Sequence, residues 1–144
     1  MVSYHASCVE LNGAGVLIFG ESGSGKSDLA LRLMDAGAVL VADDYVETVE
    51  ENGSLHAFAP DNIKGLIEVR GIGIIQTDFK ERTIIKLKVY LSSFDEIDRM
   101  PFSFASQAEA GGIADLKLSA FDVSAVAKIK TALAVVSGKN GLIS

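Results

Sequence analysis

The 144-residue sequence has no tryptophan, one cysteine (Cys8) and only two prolines (Pro60 and Pro101). A single thiol cannot close an internal disulfide, which excludes a disulfide-stapled scaffold and fits a reducing compartment. Basic residues are also few: 13 Lys and Arg stand against 19 Asp and Glu, for a formal net charge of −6. Nucleic-acid binders neutralise phosphates with clusters of Lys and Arg. No such cluster occurs, so nucleic acid is not expected as a partner. No apolar run reaches the roughly 18 residues of a membrane span, so no membrane association is expected. The Met1–His5 start lacks the basic and apolar stretches of a secretory signal. Together these absences predict a cytoplasmic protein. There is no internal repeat and no low-complexity segment.

What is present is ordinary for a folded domain: 49% hydrophobic and 22% charged residues, with 14 glycines as punctuation. A chain of this length is expected to form one domain, residues 1–144, and to bury about two thirds of its unfolded surface. Tyr4 to Leu11 reads as a first strand. Asn12-Gly13 is a two-residue hairpin signal, and Val16 to Phe19 is a short buried strand. Lys26 to Ala36 carries Leu29, Ala30, Leu33 and Met34 on one helical face, with Gly37 suited to the helix end. Val39 to Ala42 is a second buried strand. Tyr45 to Val49 and Leu55 to Phe58 flank Asn52-Gly53, a second hairpin signal. Ile67 to Ile75 is mostly apolar, interrupted by Glu68, Arg70, Gly71 and Gly73. Thr83 to Leu91 alternates, with Lys86 and Lys88 on its polar face. Ser92 to Ala110 reads as loop or short helix, and Leu116 to Leu118 as a last short strand. Val123 to Val136 reads as an amphipathic helix with Asp122 as its N-cap and Gly138 as its stop. This order predicts an α/β fold with a mixed sheet and flanking helices rather than a repeated βαβ pattern.

The strongest motif is Gly20-Glu21-Ser22-Gly23-Ser24-Gly25-Lys26-Ser27, which matches G-x-x-x-x-G-K-[ST] between an apolar strand and an amphipathic helix. Glycines let successive N–H groups curl around phosphate oxygens, and the helix start adds its own unpaired N–H groups. Lys26 is placed to neutralise the outer phosphates and Ser27 to ligate Mg²⁺. The second motif is the buried strand Val39 to Ala42 running into Asp43-Asp44. In phosphate-loop enzymes such a strand delivers a carboxylate to the metal. An adjacent second carboxylate can serve as general base toward a hydroxyl. Strand alternation points neighbouring side chains apart, so the pair need not share one role, and the residues alone leave open which takes which. Without further context His5 reads as a surface or packed residue, Glu68 and Arg70 as a cross-strand pair, His56 as structural, and Cys8 as a small packed hydrophobe.

Four segments carry a resemblance to a known family. They are Tyr4-His5-Ala6-Ser7; Gly15 to Ile18 leading into Gly20 to Ser27; Leu40 to Asp44; and Ile67-Glu68-Val69-Arg70-Gly71-Ile72-Gly73-Ile74-Ile75. The chain resembles the catalytic domain of HPr kinase/phosphorylase, the bacterial enzyme that phosphorylates a serine of the phosphocarrier protein HPr in the phosphotransferase system. The last segment is the most specific, close to the family pattern E-[IV]-R-G-[LI]-G-I-I. The resemblance covers residues 4 to about 100 and weakens beyond, and the family's N-terminal domain has no counterpart in this sequence. It implies a phosphate-loop variant similar to the phosphoenolpyruvate carboxykinase fold, ATP and Mg²⁺ as cofactors, HPr or an HPr-like carrier as partner, and a hexamer. It further implies that Lys26 and the loop hold ATP, and that Ser27 and Glu68 contact the divalent cation. The Asp43-Asp44 pair would supply the base, with His5 near the phosphates and Arg70 and Arg99 as catalytic arginines.

Two departures bear on direction of reaction. The family's P-V-x-P-G-R-N loop before the last helix is replaced by Ser119-Ala120-Phe121-Asp122-Val123-Ser124, and Gln76 stands where the signature usually has Asp. Both count against the phosphorylase direction more than against the kinase direction. The expectation is a serine kinase with weak or absent phosphorolysis. The alternatives are a non-catalytic ATP-sensing module and a small-molecule kinase.

Overall fold

Both Asn-Gly pairs turn the chain as their conformational freedom allows. In the computed structural model, which describes residues 1–143, Asn12 and Gly13 adopt φ of 51° and 82°. These left-handed values match the twist of a two-residue hairpin. They join β2 (Ala6–Leu11) to β3 (Ala14–Phe19) in antiparallel register from Leu11 opposite Ala14 to Ala6 opposite Phe19. Asn52 and Gly53, at 52° and 78°, likewise join β5 (Val46–Glu51) to β6 (Ser54–Phe58). The remaining elements are β1 (Val2–Tyr4), α1 (Lys26–Asp35), β4 (Val39–Ala42), β7 (Leu66–Val69), β8 (Gly73–Gln76), β9 (Thr83–Leu91), α2 (Phe102–Ala110), β10 (Ala114–Leu118) and α3 (Ala125–Val136).

Among the described residues, eight strands form one mixed sheet in the order β1-β5-β6-β9-β3-β2-β4, with β10 also on β9. β9 shares one edge between two partners. Its start pairs antiparallel with β6, and its second half pairs parallel with β10. Its other edge pairs parallel with β3. The sheet curls, so β3 is buried on both sides. Val16 and Ile18 face an apolar cluster with Leu29, Leu33, Leu87, Val89 and Ile129 under the helices. Leu17 faces a second cluster with Cys8, Val41, Val46 and Ala57 beneath the folded-over β5–β6 hairpin. This is why Val16 to Phe19 reads as a continuous apolar run instead of alternating. No helix among the described residues is long and apolar enough to cross a membrane.

The structure differs from the sequence expectations at three places and gives detail at a fourth, Ser92 to Ala110, where loop or short helix is expected. The first strand, expected over Tyr4 to Leu11, breaks at His5. β1 then pairs with β5, while β2 pairs with β3 and β4. The apolar run at Ile67 to Ile75 is a hairpin, β7 against β8, because Gly71 and Gly73 at φ of 89° and 132° turn it back. Ser92 to Ala110 contains a 3₁₀ turn capped reciprocally by Ser93 and Glu96, followed by α2. The last helix begins at Ala125 with Ser124 at the N-cap position. Asp122 instead closes a turn by accepting the Ser124 N–H, and Val123 is 98% exposed rather than part of the buried stripe.

Candidate active site

β3 and its neighbours set the frame. β3 ends at Phe19 in the middle of the sheet, and the glycine-rich loop connects it to α1. Gly23 and Gly25 hold φ of 79° and 97°, where a side chain would be strained. Gly20 and Gly25 are also packed against neighbours. A Cβ on Gly20 would lie 2.3 Å from Ser24 Oγ, and one on Gly25 would lie 2.9 Å from the Ala120 Cβ. Lys26 is 8% exposed, and its Nζ donates to the Gly20 and Glu21 carbonyls at 2.7 and 3.0 Å. The ammonium is thus held at the mouth of the loop. Ser24 Oγ is buried against Gly20 without a hydrogen-bond partner among the described residues.

The two aspartates that follow β4 part company. Asp43 points inward and is 5% exposed. Its carboxylate accepts from Ser27 Oγ at 2.8 and 2.9 Å, from Ser7 Oγ at 2.7 Å and from the Glu68 N–H at 3.4 Å. Asp44 takes φ of 75°, a left-handed conformation that Asp tolerates better than most residues. That turn sends its exposed carboxylate the other way, where Oδ1 meets His5 Nε2 at 2.9 Å. A carboxylate only accepts, so this bond places the proton on Nε2. The break between β1 and β2 makes the contact available. The Ala6 N–H bonds the Asp44 carbonyl at 3.2 Å, holding the His5 junction against the end of β4.

A cavity of about 540 Å³ opens over these groups. Its walls are the loop and first two turns of α1 (Ser22, Gly23, Gly25, Lys26, Ser27, Asp28, Leu31), His5 and Asp44, Glu68 to Arg70 of the β7 end, and Phe121. His5, Ser22, Gly23, Gly25, Lys26, Ser27, Asp44, Glu68 and Arg70, all expected from sequence, therefore line one cavity. Gly20, Glu21 and Ser24 shape the loop without lining the cavity, and Asp43 stands behind Ser27. Arg99 does not join them. It is exposed on the segment before α2, whose Asp98 and Pro101 line a separate cavity of about 320 Å³. His56 is half-buried in β6, paired with Val49 and Ile84, as a structural residue would be.

The donor set suits Mg²⁺. Among the described residues no three His, Cys, Asp or Glu side chains form a metal cage. Mg²⁺ seldom uses one: it takes one or two carboxylates and completes its shell with water and substrate phosphates. The Ser27 hydroxyl beside Asp43, with Glu68 on the cavity wall, fits that habit.

Asp28, Leu31 and Val69 also line the cavity without a role expected from sequence, and two further contributors stand out. Ser7 buttresses Asp43, and its signal was a polar residue at a fully buried strand position. Phe121 lies 95 residues beyond Lys26 in sequence, and nothing local marks it as part of the cavity.

The comparisons with known proteins agree with this geometry. The family model described as the HPr Serine kinase C-terminal domain matches residues 1–136. The HPr kinase/phosphorylase of Bordetella pertussis (strain Tohama I) is 39% identical, the match covering 74% of this chain and 38% of that relative. That of Acidovorax sp. (strain JS42) is 33% identical over 94% of this chain and 42% of the relative. That of Clostridium botulinum (strain Eklund 17B) is 48% identical over 49% of this chain and 23% of the relative. The chain thus spans well under half the length of the curated relatives it matches. The solved structure of the Hpr(Ser) kinase/phosphatase from Coxiella burnetii superposes with a TM-score of 0.78 at 23% identity, covering 96% of this chain and 92% of that one. That likeness establishes the shared fold.

Proposed function

Given that the chain belongs to the HPr serine kinase C-terminal domain family, we propose that it is an ATP-dependent protein-serine kinase acting on HPr or an HPr-like phosphocarrier. The observation that carries this reading is the separation of the two aspartates. One carboxylate is buried on the phosphate-loop serine, and its neighbour is exposed in the cavity on a histidine.

The roles follow from that separation. The loop N–H groups and Lys26 take the phosphates, the ammonium exchanging its two carbonyl partners for phosphate oxygens. Ser27 and Asp43, with Glu68 in reach, would hold Mg²⁺, which offsets charge on the outer phosphates. Asp44 accepts the proton of the attacking serine hydroxyl as its oxygen bonds the γ-phosphorus. The bond from that phosphorus to the bridging oxygen breaks, and ADP carries the electron pair away. His5, donating to Asp44, orients the carboxylate, and Arg70 faces the charge on the transferred group. Positioning and charge stabilisation supply most of the acceleration in phosphoryl transfer. The Ser119–Ser124 segment, without the Pro, Gly and Arg of the family loop, supports a weak phosphorolytic direction.

The test is incubation with γ-labelled ATP, Mg²⁺ and a purified HPr-like carrier. Label is expected on one serine of the carrier, and its absence overturns the kinase reading. Asp44→Asn is expected to lower kcat about 10²- to 10⁴-fold with nucleotide binding retained. Asp43→Asn is expected to weaken Mg²⁺-dependent nucleotide binding. Unchanged turnover in both variants refutes the assigned roles. Robust phosphate-dependent removal of phosphate from the phosphoserine refutes the weak reverse direction.

A further inference from the structure

We propose that Phe121 is the nucleobase platform of this site, its ring stacking on the purine of the bound nucleoside triphosphate. This inference rests on the nucleotide-binding reading above and adds the part of the site that the phosphate motif does not describe.

The sheet supplies the direction. In the order β10-β9-β3-β2-β4, the strands β3, β9 and β10 run parallel. β4 is antiparallel to β2, which is itself antiparallel to β3, so all four of these strands end at the same edge. The phosphate loop leaves from β3 in the middle. Asp43 and Asp44 follow β4 on one flank, and Ser119 to Ser124 follow β10 on the other. A triphosphate seated in the loop with its transferable end toward Asp44 must extend its nucleoside toward the opposite flank. Ligands of open α/β sheets occupy this crevice beyond the strand ends.

Phe121 stands on that flank. It lines the same cavity as Lys26 and Asp44 while remaining 79% exposed. Its ring edge borders the last loop glycine: a Cβ on Gly25 would sit 3.6 Å from the Phe121 Cζ. Leu31, one turn along α1, is a further apolar residue on the wall. The turn that presents the ring is held on both sides. The Phe121 N–H bonds Ser119 Oγ at 3.3 Å, and the Ala120 carbonyl accepts from the Arg32 guanidinium. Arg32 is in turn fixed by Asp28 at 3.0 Å. The Asp122 carboxylate accepts the Ser124 N–H at 2.8 Å and the Lys128 ammonium. A ring on a backbone already ordered loses little further freedom when a base covers it, which favours binding. Every base offers a π-face, and stacking on an aromatic side chain is a strong, sequence-tolerant contact.

The absence of tryptophan provides a direct readout. Titration calorimetry in Mg²⁺ compares ATP with inorganic tripolyphosphate, which has the phosphates without the nucleoside. Phe121→Ala is expected to weaken ATP about tenfold or more and to leave tripolyphosphate unchanged within about twofold. Phe121→Trp is expected to keep wild-type ATP affinity. Its indole, the chain's only one, is expected to be quenched by ATP and not by tripolyphosphate. Phe121→Ala binding ATP as tightly as wild type overturns the platform, as does equal loss of both ligands or a Trp signal indifferent to ATP. Wild-type protein that binds neither ligand overturns the nucleotide reading itself, so the two failures are told apart.

Discussion

Asp43 and Asp44 show how one backbone angle divides two identical side chains. With φ at 75°, Asp44 leaves the strand direction, and its carboxylate reaches the cavity while that of Asp43 stays behind Ser27. Asn tolerates the same left-handed region, so Asp44→Asn changes the chemistry and leaves the turn intact. Its melting temperature is expected to match wild type while turnover falls, as thermal unfolding and a kinase assay on one preparation will show. Lys26→Ala removes the cation at the loop mouth and is expected to reduce nucleotide affinity at least about tenfold by calorimetry, the cost of losing a charge-assisted phosphate contact. Cys8 behaves differently: burial pushes its thiol well above the ordinary cysteine value. It is expected to resist iodoacetamide at pH 8 in the native protein and to react after unfolding in guanidinium, with mass spectrometry as the readout. The motif residues were legible in the sequence because chemistry restricts residue type at phosphate and metal sites. The separation of the two aspartates was not, because it depends on a backbone angle and on what packs beside it.

At the scale of elements, the hairpins and α1 were readable because their determinants are local: Asn-Gly turns, a 3.6-residue apolar stripe, and Gly37 at φ of 111° closing the helix. β3 is readable for the same reason, and its burial makes it stability-critical. Ile18→Ala, removing a fully buried side chain next to the loop, is expected to cost about 2–5 kcal/mol in urea unfolding. The boundary of α3 was misplaced because Val123 looks like the start of an apolar stripe yet lies in the turn before it. Asp122 supports that turn, and the Lys128 ammonium holds its carboxyl below the usual carboxylate range. A lowered folded-state pKa stabilises above the ordinary Asp value near 3.8, and that contribution fades as pH falls through the folded value. Asp122→Asn is therefore expected to be less stable than wild type at neutral pH, with the difference closing toward pH 2 in an acid-unfolding series.

For the molecule as a whole, the net charge of −6 is not spread without purpose. Asp44 and Glu68 line the cavity with Lys26 and Arg70, and Asp43 stands behind Ser27 at its edge. The cavity itself is built from five stretches far apart in the chain, at His5, the loop, Asp44, Glu68 to Arg70 and Phe121. By itself the sequence determined the phosphate loop, the carboxylate-bearing strand, the hairpins and the family, since each is written in contiguous residues whose types chemistry constrains. Only the tertiary structure decided that His5 meets Asp44, that Ser7 buttresses Asp43, that Arg99 stands outside the cavity and that Phe121 stands inside it. The physical reason is the order of strands. Which loop lies beside which at the sheet's edge follows from how buried strands pair across long sequence separations, and no local pattern records that pairing.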